Sequence, residues 1–146
     1  MRPLPKKPID VRNTLLGGKV PLVCVPLVGK NRDEVLAEAR NLAACAPDLA
    51  ELRIDAWDCI EDCEKSLALI AEVRDAVKAL PLILTCRGHW EGGVKEVSEA
   101  AKNSVYDGAL DRRLVDFVDK ELKYGETELF RLKEKANAKG VALIVS

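Results

Sequence analysis

A chain of 146 residues with 23 basic and 24 acidic side chains interspersed along it has a formal net charge of −1, which excludes an electrostatic footprint for nucleic acid or an anionic membrane surface. At this length one domain buries about two-thirds of the surface its unfolded chain exposes, and no apolar run approaches the roughly 20 residues of a bilayer span. Residues 1–10 hold three prolines and no apolar stretch, so no leader is expected; a cytoplasmic protein with a small-molecule partner is.

Strand-like runs recur at 20–28, 49–55, 81–87, 114–122 and 141–145, separated by segments with helical apolar spacing. The first helix should open at Asn31 or Asp33 as N-cap, turn Val35, Leu36, Ala39, Leu42 and Ala43 inward, and stop before Pro47. A second, over 61–79, places Leu67, Ile70, Val73 or Arg74, and Val77 on successive turns, with Pro81 beyond its end. A third lies within 97–112, where Gly108 weakens the last turns by about 1 kcal/mol relative to alanine. The fourth covers 127–139 and closes on Gly140, a good residue for the left-handed position that ends a helix.

Cys24, Cys45, Cys59, Cys63 and Cys86 are odd in number, form no CxxC pair and lie mostly in apolar segments, so they read as reduced core residues. Cys59 and Cys63 share a helix face, but two further ligands at metal spacing are missing and His89 is the only histidine, so no metal is expected.

Strict alternation of strand and helix implies parallel strands joined by right-handed crossovers. An open doubly wound sheet of five strands would be complete at this length, whereas a (βα)₈ barrel needs about 250 residues. The second strand argues for the barrel. Interior strands of a doubly wound sheet are apolar on both faces, yet Glu51, Arg53 and Asp55 share one face and Leu52 and Ile54 the other. Asp119 and Glu121 repeat the pattern in the fourth strand. Charges at the C-terminal ends of barrel strands build sites, but an antiparallel sheet with one wet face, or an edge strand, accounts for the same alternation. The strand pattern alone leaves both open. The first βα turn, Val28-Gly29-Lys30-Asn31, lacks a phosphate-binding glycine pattern.

Arg87 ends the third strand, where its planar fork could hold substrate oxygens or form a salt bridge to Glu51 or Asp55. Glu51-Leu52-Arg53-Ile54-Asp55, then Thr85-Cys86-Arg87 followed by Glu91-Gly92-Gly93, then Val115-Asp116-Phe117-Val118-Asp119-Lys120-Glu121-Leu122 resemble successive strands of type I 3-dehydroquinate dehydratases in order and spacing. The similarity also takes in Val25-Pro26-Leu27-Val28-Gly29-Lys30, and residues 11–18 look like that family's hairpin below the barrel.

The resemblance implies a partial TIM barrel of class α/β, with five parallel strands, four crossover helices and an N-terminal segment and hairpin over 1–19, all one domain across 1–146. It implies a lyase of the shikimate pathway, converting 3-dehydroquinate to 3-dehydroshikimate on the way to chorismate and the aromatic amino acids, without metal or organic cofactor. In that family a Lys forms an imine with the substrate ketone and a His moves the protons. Carried over by position, Glu51, Arg53 and Arg87 bind substrate and Glu91 orients the His. Neither the His nor the Lys has a match in this chain; the His would lie two positions beyond Ser146.

His89 is read as an ordinary loop histidine, and Lys120 points to the helix layer with its ammonium reaching solvent. Some positions depart from the family: Lys120 and Lys123 stand where apolar residues are usual, Gly88-His89-Trp90 is an unusual filling between Arg87 and Glu91, and Pro26 replaces a serine found in some members. Two functions compete. Either the chain is the N-terminal part of a dehydratase whose reading frame continues past Ser146, inactive alone, or it is a non-catalytic binding or assembly module. Five barrel strands leave two open edges, so self-association, with a homodimer as its simplest form, is expected.

Overall fold

The computed structural model describes residues 5–146; residues 1–4 and the side chain of Ala43, one of the expected inward positions, lie outside the described residues. Two short antiparallel strands, β1 (Ile9–Val11) and β2 (Thr14–Leu16), form the expected hairpin. Its two-residue turn puts Arg12 and Asn13 at φ 50° and 66°, the left-handed backbone region in which a two-residue turn matches the right-handed twist of its strands.

A five-stranded sheet follows, made of β3 (Cys24–Leu27), β4 (Leu49–Arg53), β5 (Leu82–Thr85), β6 (Phe117–Lys120) and β7 (Ala142–Val145). All neighbouring pairs are parallel. Four helices connect them: α1 (Arg32–Cys45), α2 (Cys63–Val77), α3 (Glu99–Asp111) and α4 (Gly125–Lys139). The strand order in space is the order in the chain. A doubly wound sheet reverses its order at a switch point, whereas consecutive right-handed crossovers in one direction place every helix on the same side. Sequential order therefore makes this a segment of a βα barrel, and the parallel ladder removes the antiparallel alternative.

The two faces divide as the alternation requires. Leu27, Leu52, Leu84 and Val118 stand level across β3 to β6 and are all but fully buried under the helices. The opposite, inner face carries Pro26, Glu51, Ile83, Phe117 and Ala142 in one row and Arg53, Thr85, Asp119 and Ile144 in the next. Each strand is shorter than its apolar run, because the ladder stops where the chain leaves for a turn; after β4, residues Ile54–Ala56 already form a 3₁₀ turn.

Helix boundaries follow their caps. Asn31, Asp62 and Ser98 each accept a bond from the backbone N–H three residues on, at 3.1, 3.1 and 3.2 Å, and α4 ends on Gly140 at φ 74°. Gly108 does not break α3. A Cβ there would lie 2.5 Å from a terminal carbon of buried Leu67, so glycine lets α2 and α3 approach. The cysteines are not core residues as a set. Only Cys86 is buried; Cys24 sits on an outer strand, Cys45 faces solvent from α1, and Cys59 and Cys63 are half covered. No helix among the described residues is long and apolar enough to cross a membrane.

Asp116, just before β6, ties the N-terminal end of the sheet together. It accepts from Arg12 Nε at 2.7 Å, from Arg74 Nη1 at 2.9 Å and from the Leu82 N–H at 2.9 Å, joining hairpin, α2, β5 and β6. Arg74 also donates to the Lys78 and Leu80 carbonyls where α2 ends. Asp116→Ala would leave a largely buried guanidinium without its carboxylate, so a loss of about 3 kcal/mol is expected in urea denaturation. A loss below about 1 kcal/mol would show that the hub is dispensable.

Candidate functional site

The inner-face charges meet at the C-terminal ends of β4, β5 and β6. Arg53 forks onto Asp55, with Nε to Oδ1 at 2.9 Å and Nη2 to Oδ2 at 3.2 Å. Asp55 is fully buried and also accepts the backbone N–H groups of Arg87 at 3.2 Å and Val94 at 3.0 Å. Burial alone would raise its pKa, but the Arg53 fork and the two N–H bonds overcome that and hold the carboxyl below its ordinary range. The same fork holds the Arg53 guanidinium above its ordinary value.

Arg87 turns toward β6 rather than toward Glu51 or Asp55, the partners its sequence position suggests. Its Nη2 lies 3.3 Å from Asp119 and its Nη1 3.7 Å from Glu121, and Nη1 donates to the Ser146 hydroxyl at 2.8 Å. That hydroxyl donates in turn to Asp119 at 2.8 Å. Glu121 accepts the Gly88 N–H at 2.7 Å and Lys102 Nζ at 3.1 Å. Its burial opposes ionisation, yet these donors keep its pKa low.

The loop after β5 explains its two glycines. The N–H groups of Glu91 and Gly93 both return to the Gly88 carbonyl, at 2.9 and 3.0 Å. Gly92 sits at φ 83°, and a Cβ on Gly93 would come within 2.2 Å of the Arg87 carbonyl oxygen. This tight turn leaves Glu91 exposed, without a hydrogen bond or ion pair from its side chain among the described residues. Glu51 is half-buried on the inner face and likewise unengaged there, and His89 is exposed with Nδ1 3.2 Å from the Gly93 carbonyl. The structure thus gathers Arg53 and Arg87 at the sheet's mouth, sets Glu51 one row below Arg53, and holds Glu91 on the loop.

Several participants escaped the sequence. Lys102 of α3 is buried and holds Glu121. Tyr106 donates to the Asp119 carbonyl and accepts from the Cys86 N–H, both at 2.8 Å, and burial drives its pKa up. Their four-residue spacing on one helix face was the available signal. The Thr85 hydroxyl is buried between Arg53 and Asp119 with no partner among the described residues. Lys120 does not reach solvent. It is fully buried on the helix side, its Nζ 3.1 Å from Asn103, 3.4 Å from Glu99 and 3.9 Å from the Tyr124 ring centre, and burial lowers its pKa. Among the described residues no group of three or more His, Cys, Asp or Glu side chains could hold a metal ion.

Chemically, two guanidiniums anchored by carboxylates, with spare acceptors on Glu51, suit an uncharged or anionic ligand rich in oxygen. Residues 23–146 match the family model for type I 3-dehydroquinase. The chain is 38% identical over 138 residues to a 3-dehydroquinate dehydratase of Klebsiella pneumoniae, covering 94% of this chain and 55% of that protein. A Bacillus licheniformis 3-dehydroquinate dehydratase is 38% identical over 141 residues, covering 97% and 56%. The crystal structure of 3-dehydroquinate dehydratase from Geobacillus kaustophilus superimposes with a TM-score of 0.91 at 33% identity, over 96% of this chain and 55% of that one. The chain spans about half the length of the relatives it matches.

Because Asp55 has a folded pKa below the roughly 3.9 of an unfolded aspartate, its stabilisation is present above that pH and is lost as pH falls through the folded value. Asp55→Asn is therefore expected to cost about 3 kcal/mol at pH 7, and the gap to the unsubstituted protein should begin to narrow below about pH 4. Denaturant titrations of both proteins at pH 7 and pH 3 test this; a gap of equal size at both would show that the carboxylate charge is not what holds the loop.

Proposed function

The chain belongs to the type I 3-dehydroquinase family, and on that premise we propose that its inner sheet face is the substrate-holding part of a 3-dehydroquinate dehydratase. The observation that carries this is the pair of anchored arginines at one end of one sheet face, Arg53 on Asp55 and Arg87 on Asp119. In this proposal Arg53 and Arg87 donate to substrate oxygens and Glu51 accepts from hydroxyls. Glu91, exposed on the loop, orients a catalytic His that is not among these 146 residues. A carboxylate on one imidazole nitrogen fixes the tautomer and frees the other nitrogen to act as base. Lys102 and Lys120 are on the helix side and engaged with acids, so neither forms the imine. The same proposal takes the protein as cytoplasmic, with 3-dehydroquinate as its partner and no cofactor.

A second proposal, an assembly module, draws support from the β7 end of the sheet. Leu122, Phe130 and Val145 are exposed there around a cleft of about 310 Å³ beside an outer strand. In this second proposal a further copy covers the apolar cleft, which is open among the described residues beside the outer strand β7.

The purified chain should neither turn over 3-dehydroquinate nor be trapped with it by borohydride; turnover would overturn the residue assignments. Joined in frame to the C-terminal remainder of the Klebsiella relative, Arg87→Ala and Glu91→Ala should each lower kcat/KM by about 100-fold or more. Unchanged kinetics in either variant would remove that residue from the site. Sedimentation of the chain alone should show concentration-dependent association, and a monodisperse monomer would count against the assembly proposal.

A further inference from the structure

Lys102 is a buried charge with no part in the proposed chemistry. It stands on α3 at 2% exposure, and the Glu121 carboxylate it meets beyond the end of β6 is as deeply enclosed. Taking both ions out of water costs hydration on each side, so the pair is a weak stabiliser. Its consequence lies with a third charge, the Arg87 guanidinium, which is beside the same carboxylate.

The two oxygens of Glu121 have different partners. Oε1 accepts the Gly88 N–H at 2.7 Å, and Oε2 accepts Lys102 Nζ at 3.1 Å. Arg87 Nη1 stays 3.7 Å from Oε1, too far for a hydrogen bond, and donates instead to Ser146 at 2.8 Å, while Nη2 faces Asp119 at 3.3 Å. Two cations thus compete for one carboxylate, and Lys102 takes the bond. Its seat is fixed: Nζ also donates to the Tyr124 hydroxyl at 3.3 Å. One turn further along the same face of α3, Tyr106 joins the Cys86 N–H to the Asp119 carbonyl. Lys120, the other buried lysine, is committed to Glu99 and Asn103. Without the Lys102 ammonium, Oε2 would have no donor among the described residues, and Arg87 would be the cation left beside a buried carboxylate. A movement of about 1 Å would bring Nη1 into hydrogen-bond range of Glu121, at the expense of its bond to Ser146.

We propose that Lys102 is a positioning residue: by binding Glu121 it keeps that carboxylate off Arg87, whose guanidinium then stays on Asp119 and Ser146 with donors left for a substrate oxygen. The substrate step rests on the dehydratase proposal; the competition for Glu121 does not.

The test follows the Arg87 side-chain resonances of the purified, nitrogen-labelled chain by NMR, assigned by their loss in Arg87→Lys. Lys102→Met should shift them. Adding Glu121→Gln to Lys102→Met should return them to their place in the unsubstituted protein, because the amide keeps an acceptor for Gly88 but carries no charge to draw the guanidinium. A merely structural lysine would not be rescued by neutralising its partner. Lys102→Gln, whose amide can still donate to Glu121, is the milder substitution should Lys102→Met fail to fold, and the same shift and the same rescue are expected of it. Titrated with 3-dehydroquinate, Lys102→Met should bind about tenfold more weakly than the unsubstituted chain, and the double variant should regain its affinity. Arg87 resonances indifferent to Lys102, or shifted and not restored by Glu121→Gln, would overturn the proposal. Equal affinity of Lys102→Met and the unsubstituted chain would overturn its substrate step. Failure of the unsubstituted chain to bind 3-dehydroquinate would overturn the dehydratase proposal and that step together, while the Arg87 resonances still decide the competition for Glu121.

Discussion

A carboxylate taken out of water needs donors to replace its hydration, and in this fold two buried carboxylates find theirs in one loop. Asp55, from the end of β4, holds the backbone at Arg87 and again at Val94; Glu121, from the end of β6, holds it at Gly88. The loop is thereby pinned from both neighbouring strands. Its interior closes on itself through the Gly88 carbonyl, which is possible only because Gly93 lacks a Cβ. Everything at the mouth of the sheet depends on these anchors: they aim the Arg87 side chain, expose Glu91 and seat Trp90 over Gly88.

Each arginine at the mouth is held by an acid that is itself held. Arg53 rests on Asp55, which the loop N–H groups stabilise; Arg87 rests on Asp119, which Ser146 also contacts. Chains of this kind restrict rotamers more than a lone ion pair does, because moving one member strips another of its partner. A guanidinium has five donors, and Arg53 commits two of them to Asp55. The face is therefore rigid and still able to donate.

Much of this was legible in the sequence because it rests on local periodicity. The period of two placed Glu51 and Arg53 on one strand face, while Asp55 meets Arg53 from the turn that follows; Asn31 marked its helix start, and Gly140 marked its helix end. What was not legible depends on distant residues. Lysine in a strand reads as reaching water, yet Lys120 is enclosed because Glu99, Asn103 and Tyr124 arrive from α3 and the turn after β6. Arg87 could be paired only once β6 was known to lie beside β5, a fact of sheet order that periodicity does not carry. The cysteines misled for a related reason: apolar neighbours in sequence do not bury a residue that sits on an outer strand or on a helix's solvent side.

The charge balance of the inner face constrains what can bind there. Asp55 and Asp119 already answer Arg53 and Arg87, and Glu121 is answered by Lys102, which leaves Glu51, among the described residues, as the carboxylate on this face without a cation bonded to it. Its free charge repels an anionic group and attracts a hydroxyl donor, so a polyhydroxy acid would turn its hydroxyls toward β4 and its own carboxylate away. Arg53 and Arg87, being largely neutralised, contribute directional hydrogen bonds more than net charge. In the dehydratase proposal the substrate carboxylate therefore requires a cation from outside the β4–β6 face, and this half of the site reads hydroxyl geometry while another element reads charge.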